Sequence, residues 1–383
     1  MLRKVSREEL DEILAQHKLW LDTKGAQGKC ADLSNTSLNK VDLSNVDLSH
    51  ANLEGAHLKQ ATLEGAKLNK ANLTKADLTK ANLEYAKLKH INLTGACLDD
   101  SCLGSTDLTK ANLTRTSLVN AMMDGVALTK ATIESSNLEN AWLQGSDLRE
   151  ARIFDTCLDS SNLRSTDLEK AEINLSMFNQ ADLSYAHLSE ATIIGSNIRY
   201  AKLRDIDLTK ATIRKLYIAD SKLESAQLRN ATLEDVDFIR DDLSCAILED
   251  ASLSRVTFNY SNLEETRFSE NEACRKGLIL KEEWIGYKKC RGNRIVKLCI
   301  PKGAIVFSIN NEKCRTNIAK VLEITSMDSK TTYQNAVAIA DFNFEYKVGE
   351  IVEVEDFNLM YNIECASGIH FFRTRKEAEE YGY

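Results

Sequence analysis

From Ala31 to Glu270 an apolar residue (Leu, Ile, Met or Phe) stands at every fifth position: Leu33, Leu38, Leu43 and onward to Phe258, Leu263 and Phe268. Two residues before each comes a small residue, usually Ala, Ser or Thr, and the residue between them is of an outward type, often Asn or Asp. Ala71-Asn72-Leu73-Thr74-Lys75 and Ala181-Asp182-Leu183-Ser184-Tyr185 show the unit, which repeats about 48 times without a slip. A helix cannot use this period. Five residues turn it by roughly 500°, so the leucines would wind round every side. An inward-outward-inward triplet is instead the alternation of a short extended strand, and the two remaining residues must turn a corner. Each unit becomes one side of a polygon, and successive sides close into a coil.

The small-residue column counts the sides. Every twentieth residue from Ala31 to Ala251 is alanine except Ile91. The column through Thr36, Ala56 and Ala76 later reads Thr116, Ser136, Thr156, Ser176, Ser196, Leu216 and Val236. The sides keep separate identities at a period of twenty, so four units make a coil and residues 31–270 hold twelve coils. Stacked at strand spacing, they would form a square rod roughly 58 Å long. Corner residues Lys130, Glu150, Lys170, Glu190 and Lys210 alternate in sign at the same period, which places each beside an opposite charge one coil away.

The A-[ND]-L-x-x unit resembles the pentapeptide-repeat family across residues 31–270. The resemblance implies a right-handed quadrilateral parallel β-helix; the four-sided coil follows from the columns above, the handedness from the family. Ser6 and Glu9 fit a capping box, and Leu10, Ile13, Leu14, His17 and Leu21 follow helical spacing. Residues 1–30 are therefore expected to form an N-terminal cap helix, similar to the one ahead of many such arrays. The helix is expected to lay Leu14, Trp20 and Leu21 over the first coil, and His17 and Trp20 are not expected to bind a ligand.

Towards the end of the array the inward positions enlarge, at Leu216, Ile218, Val236, Phe238, Val256, Phe258 and Phe268, and Asp241 takes an inward small-residue position. An acid there must accept backbone hydrogen bonds or act as a strain point. After Asn271 the period vanishes. Runs such as 294–300, 304–309, 319–324 and 350–354 read as strands, and Thr374 to Tyr381 as a short helix, giving a compact mainly β domain over residues 275–383. Gly286-Tyr287-Lys288-Lys289-Cys290, Ile300-Pro301, Lys313-Cys314-Arg315, Cys365 and Gly368-Ile369-His370-Phe371-Phe372 resemble a domain of unknown function that recurs behind pentapeptide repeats. That resemblance supplies no activity.

Composition narrows the function. The 383 residues carry a formal net charge of -8, which argues against direct nucleic-acid binding, and a single proline, which argues for few irregular connections. Ten cysteines lie scattered with no Cys-x-x-Cys pair, and no apolar run approaches the roughly 20 residues that span a bilayer. These features predict a reduced, cytoplasmic protein with neither a cofactor nor a membrane partner. Monomer and dimer both stay open.

Cys365 with His370, near Cys314-Arg315, is the sharpest catalytic candidate, since a thiolate needs a base or a positive field. Yet His370 lies in a strand-like apolar run and no third member is evident, so a core histidine is expected there. Cys290, Cys299, Cys314 and Cys365 lack the close spacing of metal ligands, and no metal site is expected. Pro301-Lys302-Gly303 is too short for a phosphate loop.

What remains is surface. Cys102, Met122 and Trp142 stack three apolar residues in one outward column, with Trp142 as the anchor of a binding patch. Acidic residues gather late, at Asp235, Asp237, Asp242, Glu249 and Asp250. The leading expectation is a non-enzymatic scaffold that presents flat faces to a protein partner. The first alternative is a DNA mimic that modulates a DNA-binding enzyme such as a topoisomerase, as some members of the resembled family do. The second is a cysteine-dependent activity in the C-terminal domain.

Overall fold

The computed structural model describes residues 2–259, 261–268, 280, 282–309, 313–339, 344–354 and 368–381. It divides into two compact units, Met1–Thr257 and Phe258–Tyr383. The division falls earlier than the end of the five-residue period at residue 270.

The first unit is a parallel β-solenoid whose rungs are spaced by twenty residues. One column of parallel pairs runs Asp32, Asn52, Asn72, Asn92, Asn112, Thr132, Arg152, Glu172, Thr192, Thr212 and Thr232, one residue per coil. The Ser252 N–H extends it by donating to the Ala231 carbonyl at 2.8 Å. That makes twelve rungs, as the alanine column requires. Leucines at the third position of each unit, such as Leu73, Leu143 and Leu233, are wholly buried, and alanines at the first position fill the remaining interior. At the late coils Phe178, Ile193, Ile198, Ile218 and Phe238 surround an apolar cavity of about 20 Å³. A cavity that size with no polar wall stays dry.

The corners explain why the period is five. The last residue of nearly every unit adopts the left-handed conformation, whether it is Lys110 (φ 59°), Glu150 (φ 56°) or Tyr185 (φ 62°). In the turn from Leu48 to Ala51, the Ala51 N–H donates to the Leu48 carbonyl at 3.0 Å, as in a turn with positive φ at its third residue. This conformation costs a side-chain-bearing residue about 1–2 kcal/mol. The rung offsets that cost, because the same residue's amide bonds the next coil; the Lys110 N–H reaches the Thr129 carbonyl at 2.9 Å.

One column departs from this scheme, and it is the hydroxyl column the sequence singles out. On the side just before it, in the units that begin at Ala131, Ala151, Ala171 and Ala191, strands lengthen to three residues, at Thr132–Glu134, Arg152–Phe154, Glu172–Asn174 and Thr192–Ile194. The amides of Thr156 and Ser176 donate to the hydroxyls of Ser176 and Ser196, one coil on, at 3.2 Å each. Thr156 Oγ1 in turn donates to the Ile133 carbonyl at 2.9 Å. Ser and Thr are placed there because alanine could not serve as acceptor.

Helix α1 (Arg7–Asp22) caps the array's start. The Ser6 hydroxyl accepts the Glu9 N–H at 3.1 Å, but the Glu9 carboxylate pairs with Arg3, so only one arm of the expected capping box forms. His17 is fully buried, takes the Ala31 N–H on Nδ1 at 3.1 Å and stacks on Trp20 at 5.8 Å. It seats the helix on the first coil. Arg3–Lys4 adds a short parallel strand to Thr36–Ser37, a rung the sequence did not announce.

The second unit holds a seven-stranded sheet. Its strands are β1 (Trp284–Cys290), β2 (Arg294–Ile300), β3 (Val306–Ile309), β4 (Lys313–Thr316), β5 (Ile318–Ser326), β6 (Ile351–Glu353) and β7 (Ile369–Phe372). The spatial order is β3-β4-β7-β1-β2-β5-β6, and every pair is antiparallel. Val296, Leu298, Ile324, Tyr346 and Phe371 belong to its core. Gly286 is bare because the Phe371 ring lies over it; a Cβ there would sit 2.3 Å from Cδ2. Helix α2 (Arg375–Glu380) closes the unit with a complete capping box between Thr374 and Glu377.

Candidate binding surface

The solenoid fixes where each outward side chain stands. Cys102, Met122 and Trp142 are successive partners in one parallel ladder, flanked by Asn82 and Asn162. Met122 is 49% exposed and Trp142 54% exposed, while Cys102 is half-buried. Burial, and after it the charge of Glu84, pushes the Cys102 thiol above its ordinary range, so it is neutral and apolar at pH 7. The three side chains make a continuous apolar stripe on a flat face.

Beside the stripe the corner is bare. Tyr85, Ser105, Gly125, Gly145, Ser165 and Tyr185 occupy one corner column. Gly125 and Gly145 (φ 65° each) share the backbone conformation of Tyr85 (φ 60°) and Tyr185 (φ 62°), so the turn does not demand glycine. A Cβ added at Gly145 would meet nothing within 4 Å, and one at Gly125 only the Ser105 hydroxyl at 3.8 Å. The glycines therefore leave open ground next to Met122 and Trp142. Tyr85, 61% exposed, and Tyr185, held by Arg164 at 5.2 Å, stand at the two ends of this ground. No column read singly reveals this; it appears once two adjacent columns are laid side by side.

A second apolar group lies at another corner. Phe154, Leu175, Met177 and Ile194 come from three successive coils and two sides. Phe154 and Ile194 flank Asn174 in register, and the Leu175 side chain lies over Gly195. Phe154, Leu175 and Met177 are exposed. Sequence reading missed this group because its members belong to different columns.

The acidic residues do not make one patch. Asp235, Asp237, Asp242 and the pair Glu249-Asp250 fall on successive sides of the coil and so form a girdle. Asp235 and Glu234 pair with Arg255, and Glu249 pairs with Arg229. Asp237 accepts the Thr257 hydroxyl at 2.7 Å, and Asp242 accepts the Ser244 N–H at 3.0 Å. Residues close in sequence are turned apart because each side lasts only five residues. Three of the four alternating corner contacts form, Lys130–Glu150 at 3.3 Å, Lys170–Glu190 at 3.5 Å and Lys210–Glu190 at 4.0 Å, while Glu150 and Lys170 make no ion pair with each other.

Asp241 behaves as an internal acceptor. It is buried, takes the Ser221 N–H at 2.8 Å and the Ile239 N–H at 2.9 Å, and is pushed up to about 7 by burial. In the second unit, His370 is half-buried in β7 and faces Arg315 of β4 across the pair, with Cys314 opposite Phe371. Arg315 and Cys314 are themselves buried. Cys365, the expected nucleophile of a catalytic pair, lies outside the described residues. Burial pushes the Cys290 thiol up to about 11, away from thiolate chemistry. No helix among the described residues is long and apolar enough to cross a membrane.

Comparison with known proteins accounts for both parts of the chain. Pentapeptide-repeat family models match residues 29–65, 56–95, 96–134, 134–169, 178–212, 221–259 and 233–270. A family of unknown function (DUF5758) matches residues 271–378. An uncharacterized protein, L223, of Acanthamoeba polyphaga mimivirus is 41% identical over 97 residues, which is 23% of this chain; the chain spans 61% of that relative's length. Among solved structures, HetL, a pentapeptide repeat protein involved in heterocyst differentiation regulation from Nostoc sp. strain PCC 7120, is 26% identical, with 60% of this chain and 92% of that one covered and a TM-score of 0.28. QnrB1, a plasmid-mediated fluoroquinolone resistance protein, is 13% identical, with 49% and 90% covered and a TM-score of 0.24. With repeats matched over most of its length and a twenty-residue ladder of parallel rungs behind them, the chain belongs to the pentapeptide-repeat family.

Proposed function

We propose that the chain is a non-enzymatic scaffold that docks a protein partner on the face carrying Cys102, Met122 and Trp142. The observation that carries this reading is the pairing of an exposed apolar stripe with an open glycine corner. Trp142 and Met122 supply large apolar contact area, and Gly125 and Gly145 let a partner backbone come close. Asp124 and Glu139 lie in the turns beside the stripe and form no ion pair among the described residues, so the partner segment is expected to carry cations around an apolar side chain. The solenoid contributes rigidity: its interior is filled by buried Leu and Ala side chains, and the flat face needs no rearrangement to bind.

The DNA-mimic reading needs a continuous negative stripe, and the Arg-paired girdle at Asp235 and Glu249 does not favour one. The cysteine-dependent reading gains no geometry from His370.

An affinity capture from the native host tests the proposal. Full-length protein, Trp142→Ala and a chain truncated at residue 274 are compared. A specific partner lost with Trp142→Ala and kept by the truncated chain supports docking on the solenoid face. Equal capture by wild type and Trp142→Ala refutes it.

A further inference from the structure

Many cations of the solenoid pair with a carboxylate one coil away, and in one region several neighbouring cations do not. Three units on one side, Ala71–Lys75, Ile91–Gly95 and Ala111–Arg115, read Asn-Leu-Thr at their centres and hold no carboxylate. Glu54 and Glu134 close this strip one coil below and one coil above. Along one edge run the corner residues Lys70, His90, Lys110 and Lys130; along the other stand Lys75 and Arg115. All six are exposed. Lys70, Lys75, Lys110 and Arg115 join no ion pair among the described residues, whereas cations in later coils do: Arg152 with Glu172, Arg214 with Glu234, Arg240 with Asp220.

Lys110 and Lys130 stand one rung apart, at about 4.8 Å, and Lys70–Lys110 and Lys75–Arg115 two rungs apart, so mutual repulsion leaves the fold nothing to gain from these columns. In a chain of net charge -8 the strip is a local concentration of unneutralised cations. Its floor is polar but uncharged. The Thr74, Thr94 and Thr114 hydroxyls are turned onto Asn72, Asn92 and Asn112, and the Asn72 amide donates to Asn52 at 3.2 Å. A groove of about 360 Å³ passes beside Lys110 and Lys130 towards Arg149 and Lys170, with Glu150 and Glu169 at its far end.

We infer that this strip binds a linear chain of phosphates, of which inorganic polyphosphate is the simplest. Lys70 and Lys110 on one edge and Lys75 and Arg115 on the other flank a carboxylate-free floor that fits a narrow polyanion laid along the coils. The strip has no Phe, Tyr or Trp, so it offers no broad aromatic platform on which nucleobases would stack. An acidic peptide would need partners for its amides, and here the rungs consume the backbone groups; the Asn92 N–H is bound to the Ala71 carbonyl at 3.0 Å. The site is independent of the apolar stripe.

The test uses the full chain and labelled long-chain polyphosphate, followed by fluorescence anisotropy at low and moderate salt. Oligothymidylate and poly-L-glutamate serve as competing chemistries. Lys70→Gln/Lys110→Gln/Arg115→Gln is compared with Lys40→Gln/Lys215→Gln/Lys222→Gln, which removes as many exposed cations elsewhere. The expected result is saturable polyphosphate binding weakened at least tenfold in the first variant and less than twofold in the second. The salt slope should fall by roughly 2 in the first variant only. Absence of binding at low salt, equal losses in both variants, or equally tight binding of oligothymidylate or polyglutamate overturns the assignment. Circular dichroism and melting of both variants separate loss of site from loss of fold.

Discussion

The Ser176 hydroxyl accepts the backbone N–H of Thr156 at 3.2 Å, one coil back along the same column. The same oxygen donates to the Asn174 carbonyl at 3.0 Å, so one side chain joins two coils and one corner. Ser176→Ala leaves the buried Thr156 amide without its acceptor. The expected cost is about 1–3 kcal/mol, read as a lower melting midpoint in denaturant. Thr156→Val, which removes a donor to Ile133 but keeps the shape, should cost less.

Leu143 is fully buried, with Met123 one coil before it and Leu163 one coil after it in the same inward column. Leu143→Ala should cost about 2–5 kcal/mol, because neighbouring rungs hold the backbone apart and the cavity cannot collapse. Since each coil touches mainly its neighbours, hydrogen exchange should quicken first in the coils around residue 143. Uniform quickening across the array would contradict a quasi-one-dimensional core.

Asp241 gives the array a pH dependence of definite sign. Its folded value of about 7 exceeds the ordinary 3.8, so the folded state holds the proton more tightly than the unfolded chain. The associated stability is complete below about pH 4 and is lost as pH rises through 7. Asp241→Asn keeps an oxygen for the Ser221 N–H and removes the charge. It should therefore raise stability at pH 8, by at most about 4 kcal/mol, and change little at about pH 3.5. Melting at the two pH values checks this; a variant destabilised equally at both would show that the carboxylate is needed in its charged form.

Trp142→Ala should leave stability nearly unchanged, because more than half of the indole faces solvent. Phe154→Ala, at the second apolar corner, should do the same. A melting midpoint that drops sharply with Trp142→Ala would mark the indole as part of the fold rather than of a binding surface.

The architecture was legible because its cause is local and repeated. A buried residue every fifth position and an alanine every twentieth leave one solution, and the capping helix announces itself through Ser6 and the Leu10–His17 spacing. The surface was legible only where it follows one column, as with Cys102, Met122 and Trp142. The glycine corner, the Phe154 group and the scattering of Asp235, Asp237 and Asp242 depend on how adjacent sides meet, which a single column does not encode. The order of the C-terminal sheet depends on non-local pairs such as Tyr287 with Phe372, and no local pattern specifies them.

The most direct test of docking on the solenoid face is the affinity of the captured partner for wild type, Trp142→Ala and Phe154→Ala, measured by calorimetry on folded proteins. The account predicts a loss of about 2 kcal/mol or more, some thirtyfold in Kd, for Trp142→Ala and little change for Phe154→Ala. Equal affinities for wild type and Trp142→Ala would contradict it.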